Sequence, residues 1–430
     1  MKFTAAGDAI IQRRIQRDFK GYNELAPYIN RGDARFFNLE TTLNREGEVY
    51  ASQFSGGTYI RTNPEVLKDL QKFGFNMTSF NNNHALDFSY LGLERTLDAL
   101  NESGLVHAGV GKNLTDASAP RYLETDNGRV ALISVSTSFN PTMIAGNENG
   151  RFPGRPGVNA VRINDRLTVT EKELDLIQAL AQRLGINAGR EISRAEGYLP
   201  PLDGNCAELG ELKFYSGEKT ERVYQINEVD MKRVEKAIFE AKFGADYLML
   251  SIHSHQVCGT SKENVPEFLS DFAHKCIDLG ADAIVGHGPH LLRPIEVYNG
   301  KPIFYSLGDF VLELYSVEMA PADFFAQQKL DPNETVHALL RKRSKDFTVG
   351  LMEQKKMLET IIPFWETDGE NKLVSLKFMP VELTMKGNKS QIGLPRKAKD
   401  LTLVERLAEI SKPYGVTMQI EEDGTVTCHW

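Results

Sequence analysis

In the stretch IVGHGPHLLRP, residues 284–294, His287 and His290 straddle Gly288 and Pro289 directly after an apolar run. Gly-Pro rules out a helix that would place both imidazoles on one face, and a strand would send them to opposite sides. A turn at a strand end remains, where both rings converge on a metal, a phosphate or a proton-transfer point.

The same chemistry recurs where other apolar runs end. KFTAAGD ends in Asp8, ARFFNLE in Asn38 and Glu40, NMTSFNNNH in Asn81, Asn82, Asn83 and His84, and DYLMLSIHSH in His253 and His255. Each alone has an ordinary explanation. An Asp after a strand often serves a turn or cap, and an Asn run is often turn chemistry. His253 and His255 would face opposite ways on a continuing strand. Jointly, five strand ends bearing carboxylate, amide and imidazole describe one rim, because open α/β sheets bind ligands outside the carboxyl ends of their strands. Oxygen and nitrogen donors without thiolate suit manganese, iron or zinc, as one ion or a pair. Such a site would orient an attacking water and stabilise charge on a phosphoryl or acyl oxygen. A histidine not used as ligand, such as His84, would move a proton.

The elements that must hold this rim follow from periodicity. Four times an amphipathic helix runs into Gly and then a short apolar strand: PEVLKDLQKFG before FNMTSF, YLGLERTLDALNESG before LVHAGV, VDMKRVEKAIFEAKFG before ADYLMLSIH, and VPEFLSDFAHKCIDLG before ADAIVG. Gly past a helix is expected as a left-handed cap, and helices alternating with continuous apolar strands indicate βαβ units on a buried sheet. The expected fold class is α/β, with residues 1–139 and 226–315 as its core. Residues 140–225 are Gly-, Pro- and Asn-rich, then helical (TEKELDLIQALAQRLG), and read as an insertion serving as a lid or a surface elaboration. Residues 316–430 begin helical and charged. Strands around NKLVSLKFMPVEL, a helix TLVERLAEISKPYG and a last hairpin turning at Asp423-Gly424 then complete the core.

Composition narrows the function classes. The chain has 430 residues, 41% hydrophobic and 25% charged, with a net charge of -8, so no electrostatic case for nucleic acid exists. The local exception is Arg13, Arg14 and Arg17, beside Asp8; Arg13 or Arg14 would engage an anionic substrate. Four scattered cysteines argue against a disulfide framework or zinc-thiolate site. No apolar run reaches membrane-spanning length, and MKFTAAGD reads as a strand rather than a signal peptide, so a cytoplasmic protein without membrane insertion is expected, acting on a small-molecule or peptide substrate.

AAGDAII, FFNLETTL, NNNHALDFSYLGLERTLDAL, HAGVGKN, SIHSHQ, IVGHGPHLLRPIEVY and KPIFYSLGDFV occur in that order. This set resembles the CapA family of poly-γ-glutamate capsule synthesis, a branch of the calcineurin-like metallophosphoesterases, over residues 2–139 and 240–312. The resemblance implies a four-layer α/β/β/α sandwich with the site at one edge. It implies metal held by Asp8, Glu40, Asn83, His253 and His287, with His84, His255, His290 and Asp8 as catalytic groups and Asn82 near substrate. Four features depart from the pattern: Ile10 stands where the superfamily has a strand-one His, the closing pair is His-Gly-Pro-His in place of His-x-His, Gln256 follows HSH, and YSLGDF adds Asp309 near the rim. The leading expectation is a metal-dependent hydrolase or transferase at a phosphoryl or peptide-type bond. The alternatives are a peptide epimerase exchanging an α-proton between Asp8 and His290 or His287 without metal, and a non-catalytic subunit of γ-glutamyl polymer synthesis.

Overall fold

Strands buried on both faces make two sheets that share one core. The computed structural model describes all 430 residues, divided into two compact units: Met1–Val161 with Met231–Trp430, and Arg162–Asp230. In the first unit, the strand Lys2–Ile10 lies parallel to Ala34–Leu39, which continues parallel to Met77–Ser79 and Val106–Ala108. On its other side Glu359–Thr367 pairs antiparallel, followed by Leu373–Leu383 and the hairpin Thr417–Ile420 with Val426–His429. The second sheet sets Gly128–Ser136, Tyr247–His253, Ala283–His287 and Lys301–Phe304 in parallel.

The period of two along each strand decides which side chains meet. Phe3 and Ala5 face the second sheet, joining Val130, Leu132, Tyr247, Met249 and Val285, whereas Ala6 and Ala9 face helices. At the centre the Phe3 ring stacks on Tyr247 at 3.9 Å and lies 5.3 Å from Trp365, whose Nε1 donates to Tyr247 Oη at 2.9 Å. Buried aromatics of this size dominate core energetics, and the indole N–H is satisfied. Helices Lys20–Ile29, Val66–Phe73 and Ser89–Ser103 cover the first sheet through Leu25, Leu70 and Leu93. Helices Glu228–Gly244 and Glu267–Asp278 bury Ile238 and Phe272 on the outer side of the second, where Ile133, Leu250 and Ile284 are also buried. The layer order is helix, sheet, sheet, helix: an α/β/β/α sandwich.

Three of the four expected glycine caps are left-handed: Gly74 at φ +111°, Gly104 at +77° and Gly280 at +117°. Gly244 instead stays helical, and an added Cβ there would come within 3.0 Å of the Tyr122 hydroxyl, so this glycine serves close approach rather than a cap. Residues 140–161 stay with the larger unit, where Val158 pairs with Val110 and Ala160 bridges Ser136. The Arg162–Asp230 unit has its own four-stranded sheet, ordered Cys206–Leu209, Leu212–Ser216, Ile163–Val169, Glu221–Ile226. Helix Glu171–Leu184 packs Leu174 against Val169 and Ala207. No helix in the chain is long and apolar enough to cross a membrane.

Candidate active site

Parallel pairing puts the carboxyl ends of both sheets' strands at one edge, and the backbone aims each side chain there. The register of Lys2–Ile10 shifts on both sides of Asp8, a bulge that redirects it. Gly7 makes this possible, since an added Cβ would overlap the Gly308 carbonyl. Asp8 Oδ1 accepts from Asn38 Nδ2 at 2.6 Å and Oδ2 from the Gly288 amide at 2.9 Å. The GHGPH turn thus serves Asp8 in two ways. His287 stands behind with Nδ1 3.4 Å from Asp8 Oδ1. His290, at φ +62°, sets Nδ1 2.9 Å from Asp309 Oδ1. Asp309 is the register partner of Asp8 on the neighbouring strand.

A second set of donors gathers on the other side of Glu40. Glu40 Oε1 lies 3.7 Å from His253 Nε2, 3.8 Å from His84 Nε2 and 4.0 Å from His255 Nε2. Asn83 Oδ1 lies 2.8 Å from His253 Nε2 and 3.2 Å from His255 Nε2. The strand ends at His253, so His255 turns back and the two Nε2 atoms stand 2.9 Å apart, not on opposite faces as alternation predicts. Asn83 Nδ2 donates to Gly56 O at 2.9 Å, which leaves Oδ1 toward the rings. His84 Nδ1 is fixed on Asp87 Oδ2 at 2.7 Å. His253 Nδ1 meets His287 Nδ1 at 2.8 Å, and His287 Nε2 meets Ser251 Oγ at 2.7 Å.

Electrostatically the rim is crowded with buried acid. Both oxygens of Glu40, and Oδ2 of Asp309, are buried without any hydrogen-bond partner. Burial pushes the Glu40 carboxyl well above its ordinary range, with Asp8 and Asp309 adding to it. Burial and then Asp309 raise Asp8 to about 7. Burial also holds His253 and His255 well down, and His287 down at about 3. Burial works against a charged His290, but neighbouring Asp309 and Asp8 outweigh it and raise this ring. Buried carboxylates crowded together beside neutral imidazoles carry a large desolvation cost unless a cation joins them.

The donor set fits such a cation. Ligand atoms about 2.1 Å from a metal stand roughly 3–3.5 Å apart, near the spacing here. Three groups qualify, each with ligand atoms within 4.8 Å of one another: Asp8, His253 and His287; Glu40, His253 and His255; and Asp8, Glu40, His290 and Asp309. Two cavities border this rim. One of about 400 Å³ is lined by His84, His255, His290, Lys262 and Arg343. The other, of about 410 Å³, is lined by Asn83, His255, Ser52, Ser138 and Asn140.

Two sequence expectations are corrected. Asn82 Nδ2 donates to Leu39 O at 2.7 Å and its Oδ1 accepts the His84 amide at 3.1 Å, so it shapes the turn from a buried position instead of meeting substrate. Arg13 is held by Glu313 at 2.8 Å and Arg14 by Asp69 at 2.6 Å, and both line a separate cleft with Arg45 and Arg61. Both guanidiniums are neutralised away from the rim. The sequence reading missed Asp87, Ser251, Lys262 and Arg343. Asp87 carried a local signal, three residues past His84; the others carried none.

The family model described as bacterial capsule synthesis protein PGA_cap matches residues 2–313. An uncharacterized protein of Sinorhizobium fredii, y4sH, is 32% identical over 433 residues, covering 97% of this chain and 91% of its own. The PGA biosynthesis protein CapA of Bacillus subtilis is 27% identical over 314 residues, covering 71% of this chain and 62% of its own. Among solved structures, a putative 5'-nucleotidase of Staphylococcus aureus aligns with a TM-score of 0.38 and 10% identity, over 95% of this chain and 58% of that one.

Proposed function

The chain belongs to the bacterial capsule synthesis protein PGA_cap family, a branch of the metallophosphoesterase-like superfamily, and on that premise we propose that it is a metal-dependent hydrolase or transferase at a phosphoryl or γ-glutamyl peptide-type bond. The observation that carries this reading is Glu40, whose two orphaned oxygens lie between two donor sets. Asp8, Glu40, His290 and Asp309 would hold one divalent ion; Glu40, Asn83, His253 and His255 would hold a second. Asp309 supplies a donor where Ile10 replaces the superfamily's strand-one histidine. Bound metal supplies positive charge opposite the oxygen that becomes negative as the bond breaks. His84 Nε2, at the edge of the larger unit's first cavity and oriented by Asp87 through Nδ1, gives the leaving group its proton. His287 orients His253 through the Nδ1 contact, as a ligand's outer partner does. The name of the CapA relative ties it to PGA biosynthesis, which favours the γ-glutamyl bond. Asp8 is fully buried with both oxygens engaged, a poor position for taking an α-proton, so the geometry favours bond cleavage over epimerisation.

The test is elemental analysis of wild type and Glu40→Gln purified without chelator, with thermal melts before and after EDTA. Wild type should carry near-stoichiometric manganese, iron or zinc, and the variant none. Metal at a thousandfold excess over Kd stabilises by about 4 kcal/mol, a gain that Glu40→Gln should lose. The metal-free variant should melt no lower than metal-free wild type, since one of three crowded carboxyls is neutralised. A folded wild type that holds no metal and melts identically with added manganese, iron or zinc sinks the reading.

A further inference from the structure

The two cavities beside the rim differ in charge. The first is lined by Ile10, Gly56, Gly57, Thr58, three histidines, a largely apolar wall from Leu314 to Met352, and two cations, Lys262 and Arg343; not one carboxylate lines it, in a chain of net charge -8. The second carries hydroxyls, amides, Phe54 and Phe139, and no Lys, Arg, Asp or Glu at all. Gly56 and His255 belong to both linings, so the cavities meet at the rim.

The two cations are placed without a salt-bridge partner, although Lys262 feels the charge of Asp309 at the rim. The backbone carbonyl of Lys262 accepts from Arg293 Nε at 2.9 Å, and the same buried arginine grips Gln256 O at 2.6 Å. That grip fixes the loop while the ammonium makes no ion pair. Arg343 ends the helix Val336–Arg343, donates to Thr58 Oγ1 and lies over the Phe324 ring at 5.3 Å. It too has no acidic partner, whereas Arg13, Arg14, Arg162 and Arg190 all do. A planar guanidinium and an ammonium lining one cavity whose wall holds no carboxylate make a receptor for an anionic group.

We propose that the substrate places one anionic group, a carboxylate or a phosphate, between Lys262 and Arg343, and lays a neutral polar segment along Ser52, Ser138 and Asn140, so that the bond cut lies next to a charged terminus. The inference deepens the reading of the rim as a reaction centre and rests on it. It makes the site selective for the end of a chain: a continuous polyanion would put charge into the neutral cavity, where no cation receives it.

The experiment titrates γ-glutamylglycine with its α-amine acetylated and its α-carboxyl amidated, so that the glycine carboxylate is its one charge, together with the glycine amide of that compound and inorganic phosphate, into wild type, Lys262→Gln and Arg343→Gln by calorimetry, each protein both metal-loaded and chelator-stripped. Both side chains are exposed, so the variants keep the core. The blocked γ-glutamylglycine should bind wild type and weaken about tenfold or more in either variant, the size of a lost charge-assisted hydrogen bond. Metal content should stay unchanged, and the amide should bind wild type as weakly as the acid binds the variants. Loss confined to phosphate keeps the subsite and names phosphate as the anion. Equal affinities in wild type and variants, or no binding of either anion to wild type, overturns it. Sensitivity to the variants in a wild type without metal keeps the subsite and removes the metalloenzyme reading; the reverse pattern removes the subsite alone.

Discussion

Asp87 shows how a buried carboxylate acts through its neighbours. It accepts His84 Nδ1 at 2.7 Å, the Ile60 amide at 3.0 Å and the Gly56 amide at 2.9 Å, and it is almost fully buried. Gly56 in turn accepts from Asn83 Nδ2, so one side chain holds the proposed proton donor and the loop that orients a proposed ligand. Asp87→Ala should strand two backbone donors and one ring nitrogen, at about 1–3 kcal/mol for each buried group left unpaired. The expected loss is about 3–5 kcal/mol, read as a lower urea midpoint with unchanged slope; a loss below about 1 kcal/mol would mean that water takes over the carboxylate's role. The rim residues were legible because each ends an apolar strand, and parallel strands share a direction. Asp87 was legible only as a near neighbour of His84, since NNHALDF does not say that the turn folds onto residues 56–60. Arg13 and Arg14 misled for the opposite reason: they are near Asp8 in sequence, but the chain leaves the strand toward Glu313 and Asp69.

At the scale of elements, the Arg162–Asp230 unit holds one buried acid clamped by two arginines. Glu208 lies on the strand Cys206–Leu209 with its side chain 5% exposed, held by Arg190 Nε and Nη2 at 2.9 Å and by Arg194 Nη2 at 2.6 Å. These hydrogen bonds, Arg190's first, depress its pKa from 4.5 to about 2. A depressed carboxylate contributes stability that is fully present above its unfolded pKa and is lost as pH falls through the folded one. The window is therefore roughly pH 4.5 down to 2, and the contribution about 2 kcal/mol after allowing for solvent around the arginines. Hydrogen exchange of this unit in wild type and Glu208→Gln should show a gap near that size at pH 6 that closes as pH approaches 2. A gap independent of pH would show that Glu208 acts by packing and not by charge. The unit's first helix was legible from its periodicity. Its sheet was not, because strands such as Glu221–Ile226 are short, polar and partly exposed, with no apolar alternation to read.

At the scale of the molecule, the proposed metal ligands and the fold that holds them do not occupy the same stretch of chain. Every proposed ligand lies at or before residue 309, inside the family match that ends at 313. The larger sheet, however, is completed from the tail: Glu359–Thr367 pairs directly with Lys2–Ile10, at Phe3 with Trp365 and Thr4 with Phe364. The hairpin at Asp423-Gly424 and the strand near NKLVSLKFMPVEL were readable in sequence. The placement of ETIIPFWET beside the first strand was not, because pairing across some 360 residues leaves no local mark. A chain ending at residue 318 loses Ile361, Trp365, Leu376 and Phe378 from the space between the sheets. At about 2 kcal/mol for each large buried side chain, that is roughly 8 kcal/mol, comparable with the 5–15 kcal/mol that holds a whole domain folded. It also bares one side of Lys2–Thr4 as an open edge prone to association, while Asp309–Leu312 still pairs with Asp8–Ile10. The fragment should therefore retain far-ultraviolet circular dichroism, lose its near-ultraviolet signal, bind the dye ANS, and hold no metal although it carries every ligand. A sharp cooperative melt with metal bound at wild-type stoichiometry would show instead that residues 1–318 suffice to form the rim.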